Sequence, residues 1–154
     1  MTNLYVFKTN KKNIAHLYFN QKKVICYVGF KGIGRKVREG DRITPVGTYI
    51  FLEVYYRPDK NKKFKTTLPL RKILKNSYWC VDPKSRFYNE TQNKLKNNQF
   101  EKLYRSDCLY DILIVINFNI KPKKAYKGSA IFIHCSDNKK NYTDGCIALN
   151  KEVI

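Results

Sequence analysis

Between Tyr110 and Asn119 the chain carries Ile112, Leu113, Ile114, Val115 and Ile116 without a break, bounded by Asp111 and Asn117. The run is far too short to span a membrane as a helix. It also lacks the polar positions that would give a surface helix its wet face, so it predicts a strand buried on both faces. Gly128 to His134 is a second such run, and Cys146 to Leu149 begins a third. Around this central sheet the flanking sequence reads as shorter β-prone pieces. Leu4–Phe7, Ala15–Phe19 and Val24–Val28 form a meander broken by Thr9 to Asn13 and by Asn20-Gln21, and Thr48 to Tyr56 is a further strand. Pro58 to Lys65 reads as a charged loop, and within the irregular stretch Leu68 to Tyr104 and just beyond, Asn97 to Arg105 fits a helical turn. Twelve Tyr and nine Phe support the β reading. A chain of 154 residues holds one core. The expected architecture is therefore mainly β, one compact domain over 1–154, with one or two short helices.

The formal net charge of +19 raises nucleic acid, anionic lipid or an acidic polymer as a partner. The basic residues are dispersed, however, in short groups such as Lys11–Lys12, Lys22–Lys23 and Lys121 to Lys124, which suit turns between strands. No basic helix or stripe emerges, so the field predicts attraction to an anionic wall polymer and no specific nucleic-acid site. Five cysteines form no C-x-x-C pair, which argues against a structural zinc site. Cys26 and Cys135 sit in apolar runs and are expected to be small buried hydrophobes. Met1 to Phe19 shows no uninterrupted apolar segment of the kind that directs export, and no stretch reaches membrane-spanning length. Cytoplasmic residence, or exit by a route the sequence does not display, follows from that alone. Gly32-x-Gly34 lacks the third glycine of a dinucleotide fingerprint and is read as a turn.

Two histidines occur, His16 and His134. His16 lies in an N-terminal strand and is assigned a structural or surface role. His134 ends the run Ser129-Ala130-Ile131-Phe132-Ile133, where a buried strand delivers a side chain to the rim of a sheet. Twelve positions later comes Thr143-Asp144-Gly145-Cys146, a tight turn feeding Ile147-Ala148-Leu149. A free thiol with pKa near 8.5 is mostly protonated at neutral pH, whereas the thiolate is the nucleophile. A neighbouring imidazole can take that proton and return it to a leaving amine. Glycine before the cysteine permits a sharp turn whose N–H groups can hold an oxyanion. A thiol so activated is expected to alkylate quickly.

These blocks together resemble the YkuD-type L,D-transpeptidases. Ile131-Phe132-Ile133-His134 followed by Thr143-Asp144-Gly145-Cys146 is similar to that family's H…[ST]-x-G-C motif. Arg38-Glu39-Gly40-Asp41-Arg42-Ile43-Thr44-Pro45-Val46-Gly47-Thr48-Tyr49 is similar to its R-E-G-D-x-x-T-P-x-G-x-[FY] segment. Asp82-Pro83, Tyr88-Asn89, Leu109-Tyr110-Asp111 and Gly128 to Phe132 follow in the family's order, so the likeness spans roughly 32–149. It is closest to a branch of short members associated with proteobacteria. The resemblance implies a mainly β catalytic domain without metal or organic cofactor, acting on peptidoglycan stem peptides as donor and acceptor in the cell envelope. It implies Cys146 as the nucleophile that forms a thioester and His134 as its base. It implies Gly145 and Thr143 in the turn that serves the oxyanion and orients the histidine through a nearby backbone carbonyl. Thr44, Pro45 and Gly47 match a hallmark turn read as structural. Arg38, Asp41 and Tyr88 are candidates for shaping the substrate pocket, with an ion pair as the competing reading for Arg38 and Asp41.

Two departures keep alternatives open. Asp144 and Ala148 stand where the commoner motif has His and Arg or Asn, and the Thr-Asp-Gly-Cys form also occurs in members that cut. Crosslinking by acyl transfer, hydrolysis of the same stems by an L,D-amidase or carboxypeptidase, and a non-catalytic basic polymer-binding protein are the three expectations to separate.

Overall fold

The computed structural model describes residues 3–61, 65–94, 99–136 and 139–154. An eight-stranded sheet is built from β1 (Tyr5–Lys8), β2 (Ile14–Phe19), β3 (Lys22–Tyr27), β6 (Phe51–Tyr56), β7 (Leu70–Lys72), β11 (Ile112–Ile116), β12 (Phe132–Cys135) and β13 (Ile147–Leu149), in the order β1-β2-β3-β13-β12-β11-β6-β7. β4 (Ile33–Gly34) and β5 (Thr44–Pro45) form a small parallel pair. β8 (Tyr78–Cys80), β9 (Thr91–Gln92) and β10 (Phe100–Lys102) form a separate three-stranded sheet in the order β10-β8-β9. The architecture is mainly β as expected, and among the described residues there is no helix. The stretch expected as a helical turn instead holds β10, where Phe100, Glu101 and Lys102 pair with Cys80, Trp79 and Tyr78; residues 97–98 of that stretch lie outside the described residues. The pairing partner, twenty residues upstream, decides the conformation.

Side chains alternate across the central strands and divide the interior in two. One face gathers Leu113, Val115, Phe132 and Cys146 with Tyr55, and meets Trp79, Leu103 and Ile73. The opposite face gathers Ile133 and Leu149 with Ala15, Leu17, Cys26 and Val28. β11 is fully buried only on the first face: Leu113 and Val115 are inside, whereas Ile112 and Ile114 are half-buried. The expectation of burial on both faces is met in full on the face that the three-stranded sheet covers, while on the other Ile114 packs half-buried against the second cluster. Cys26 and Cys135 are buried in the apolar interior as expected, and all five cysteines are free thiols.

β12 and β13 are parallel neighbours, in register Ile133 with Ile147, His134 with Ala148 and Cys135 with Leu149. Phe132 and His134 therefore share a face, and Cys146 and Ala148 share that same face. The sheet thus delivers His134 and Cys146 to one side, from adjacent strands, at the edge of the core that holds Trp79 and Phe132.

Candidate active site

Cys146 stands at the entry to β13, at the end of a turn that two threonines brace. Thr143 Oγ1 donates to the Cys146 carbonyl at 2.7 Å, Thr44 Oγ1 donates to it at 3.3 Å, and the Gly145 N–H donates to Thr143 Oγ1 at 3.1 Å. Thr44 Oγ1 also accepts from the Gly29 N–H at 2.8 Å, which ties the Thr-Pro turn directly to the cysteine. Gly145 has φ of 142°, and a Cβ there would lie 3.0 Å from both the Ile43 carbonyl oxygen and Ile131 Cδ1. Glycine at that position is required by backbone geometry and by space. The Gly145 amide, expected among the oxyanion donors, is already spent on Thr143.

The Cys146 thiol is nearly buried, at 8% exposure. Its Sγ donates to the Ala130 carbonyl at 3.1 Å and accepts from the Phe132 N–H at 3.3 Å. Burial pushes the thiol up to about 12, helped by the nearby Glu101 carboxyl, against the smaller effect of the Phe132 amide. His134 is also buried. Burial brings its imidazole down to about 4, against the pull of the Cys135 carbonyl. Burial therefore favours the neutral thiol and the neutral imidazole over their charged forms, outweighing the smaller opposing effects of Lys36 on the thiol and Asp107 on the imidazole.

His134 Nδ1 lies 2.8 Å from the Cys135 carbonyl oxygen. A carbonyl only accepts, so Nδ1 donates to it and carries the proton, and the Leu109 carbonyl is a further backbone partner of the ring. The orienting carbonyl was expected near the Gly145 turn; it is the one that follows the histidine in β12. Tyr110 packs its ring edge-on against the imidazole, with centroids 5.2 Å apart.

His134 and Cys146 line one cavity of about 450 Å³, shared with Tyr110, Glu101, Lys36 and Asp144. Thr143 lines it too. The other expected residues are placed differently. Asp41 is buried and bound by Lys36 Nζ at 2.6 Å and by the amides of Val37, Arg38 and Ile43, which hold its carboxyl below the usual range despite burial. Its partner is Lys36, while Arg38 is exposed and meets Asp41 through its backbone only. Tyr88 is buried, and its hydroxyl donates to Glu39 and accepts from the Gly128 N–H at 3.1 Å, so it braces the strand leading to His134 from behind the cavity wall.

Asn89, which the sequence offered only as part of the Tyr88-Asn89 block and without a role, is central in the structure. Its Oδ1 accepts from Trp79 Nε1 and from the Ala130 N–H, both at 2.9 Å, and its Nδ2 donates to the carbonyls of Phe118 and Asn119, each at 3.0 Å. Ala130 is held at φ of 52°, an uncommon conformation for alanine, and that peptide presents its carbonyl to the Cys146 thiol. Glu101 and Lys36 were likewise not singled out. Among the described residues, no group of three or more His, Cys, Asp and Glu side chains converges as a metal set.

The chain belongs to the YkuD family of L,D-transpeptidase catalytic domains, whose family model matches residues 3–154. No curated protein and no solved structure matches it. Members of this family act on peptidoglycan stem peptides. Among the described residues no helix is long and apolar enough to cross a membrane.

Proposed function

We propose that this protein crosslinks peptidoglycan stem peptides by cysteine acyl transfer in the cell envelope, with Cys146 as nucleophile and His134 as base. The observation that carries the reading is the delivery of both side chains to one cavity from adjacent strands, with Nδ1 held on the Cys135 carbonyl. In the first half-reaction Nε2 takes the thiol proton as Sγ bonds to the donor carbonyl carbon. The donor C–N bond then breaks, and the leaving amine carries off the proton from His134. In the second half an acceptor amine attacks the thioester, the C–S bond breaks, and the proton lost by the amine returns through His134 to sulfur. Placing the substrate over Cys146 replaces the Ala130 carbonyl as the thiol's partner, so proton transfer to His134 accompanies attack. The Cys146 N–H is our candidate for the oxyanion, since Gly145 donates elsewhere.

The test is muropeptide analysis of cells that express or lack the protein, alongside turnover of purified stem peptides. New dimers are expected from the parent, and Cys146→Ala is expected to abolish them, with Cys146→Ser as the variant that keeps a hydrogen-bonding group of similar size at the buried position. Dimers formed equally by Cys146→Ala would end the proposal. Shortened monomers without dimers would assign the same site to hydrolysis.

A further inference from the structure

Three carboxylates line the cavity, Glu39, Asp144 and Glu101, and two of them are committed. Glu39 accepts from the Tyr88 hydroxyl and from Ser129 Oγ at 2.9 Å, and Asp144 is bound by Arg42 Nε at 2.9 Å. Glu101 accepts from the Tyr110 hydroxyl. Among the described residues no cation stands within ion-pair distance of it, because the nearby Arg105 guanidinium is held by Asp107, with Nε 2.9 Å from Oδ1. The position is specific. Glu101 sits in the middle of β10 and is fixed across from Trp79. Its partner Tyr110 is the residue whose ring lies against His134. Burial pushes this carboxyl upward against the Tyr110 hydrogen bond and the Arg105 charge, and the Asp144 and Glu39 charges add a smaller push. Glu101 itself has no ion-pair partner among the described residues, and a bound cation would offset the cost of its burial.

Resting on the acyl-transfer reading above, we propose that Glu101 is the recognition residue for the acceptor substrate's primary ammonium group. Its free carboxylate oxygen hydrogen-bonds that group beside the thioester on Cys146. Before attack the ammonium gives one proton to the Glu101 carboxylate, and the neutral amine left behind adds to the thioester carbon. The raised affinity of Glu101 for a proton suits it to that exchange, and Tyr110 holds it in place through both states.

The experiment forms the acyl-enzyme from a donor stem peptide and reads it by intact mass. Its consumption is then followed with two nucleophiles at pH 7: a diamino-acid acceptor, which is cationic, and hydroxylamine, which is largely neutral. Glu101→Gln should raise the acceptor KM roughly ten- to hundredfold, the worth of a charge-assisted hydrogen bond. That change should well exceed any fall in acyl-enzyme formation or in hydroxylamine capture. Glu101→Asp, which keeps the charge on a shorter arm, should recover part of the loss and guards against a variant that fails to fold. Equal losses with both nucleophiles, or an unchanged acceptor KM, would overturn the assignment. Failure of the parent to form any adduct on Cys146 would instead overturn the acyl-transfer reading on which it rests.

Discussion

Burial, more than any charged neighbour, sets the chemistry of His134. An imidazole lowered to about 4 is neutral and able to accept a proton throughout the physiological range. The acid limb of kcat/KM is therefore expected near pH 4 and not near the ordinary histidine value of about 6.5, provided turnover is measured on a substrate without its own ionisation there. The same depression has a signed effect on stability. The unfolded chain binds a proton at this histidine below about pH 6.5 while the folded chain does not until about 4, so stability falls as pH drops through that window. The interval corresponds to roughly 3 kcal/mol. Glu101, whose carboxyl is raised, acts in the opposite sense over an overlapping range. The measurement is thus a difference: urea unfolding of the parent and of His134→Gln at pH 7 and pH 4. The parent should lose more stability on acidification, and parallel losses would refute the assignment.

At the scale of elements, the site is made by how β12 and β13 begin and end. The two strands are parallel neighbours, and the chain between them must leave one end of the sheet and return to the other. The return ends in the Thr143–Cys146 turn, clamped by the Thr143 and Thr44 hydroxyls on the Cys146 carbonyl. Gly145→Ala places a Cβ 3.0 Å from the fixed Ile43 carbonyl and 3.4 Å from Lys36 Nζ, in a backbone conformation that side chains resist. A loss of about 1–3 kcal/mol in stability is expected from strain at one such residue. Because the strained residue adjoins Cys146, turnover should fall further than stability does. Denaturant midpoints with single-turnover acylation rates check both. Asn89 acts on the same turn from the opposite side, through Ala130, by fixing the carbonyl that holds the thiol.

For the whole molecule the dominant number is the net charge of +19. Several of the positive groups are tied up locally: Lys36 to Asp41, Arg57 to Asp59, Arg105 to Asp107, and both Lys60 and Lys151 to Asp111. We propose that the other positive charges act as a spread field on anionic polymers, without a stripe that reads them. Salt should then weaken association with an anionic wall fragment, raising KM, while the chemical step at saturating substrate changes little. Screening acts over about 8 Å at physiological ionic strength, whereas the thiol and imidazole contacts are shorter and shielded. Titration of KM and kcat against ionic strength reads the two separately. A kcat that falls in step with 1/KM would contradict this division.

The apolar runs at Ile112–Ile116 and Ile131–Ile133 were legible as strands because their length, boundaries and lack of a polar stripe leave one conformation that buries them. His134 and Cys146 were singled out through the resemblance of their blocks to the YkuD motifs, since a His and a Cys twelve positions apart are a weak signal by themselves. The strand periodicity even carries the fact that Phe132 and His134 share a face. Pairings between segments distant in the chain were not legible. β10 is a strand because Glu101 and its neighbours meet Trp79, Asp41 takes Lys36 and not Arg38 as its ion partner, and Asn89 reaches Ala130 from 41 residues away. Nor could the ionisation of the site be read from residue types, since a thiol pushed up to about 12 and an imidazole brought down to about 4 reflect burial first, with smaller effects of neighbours such as Lys36 and Asp107. Local sequence fixes what a segment can be, because φ, ψ and side-chain period are local. What a side chain touches, and therefore how it ionises, is set by which distant segments the folded sheets bring against it.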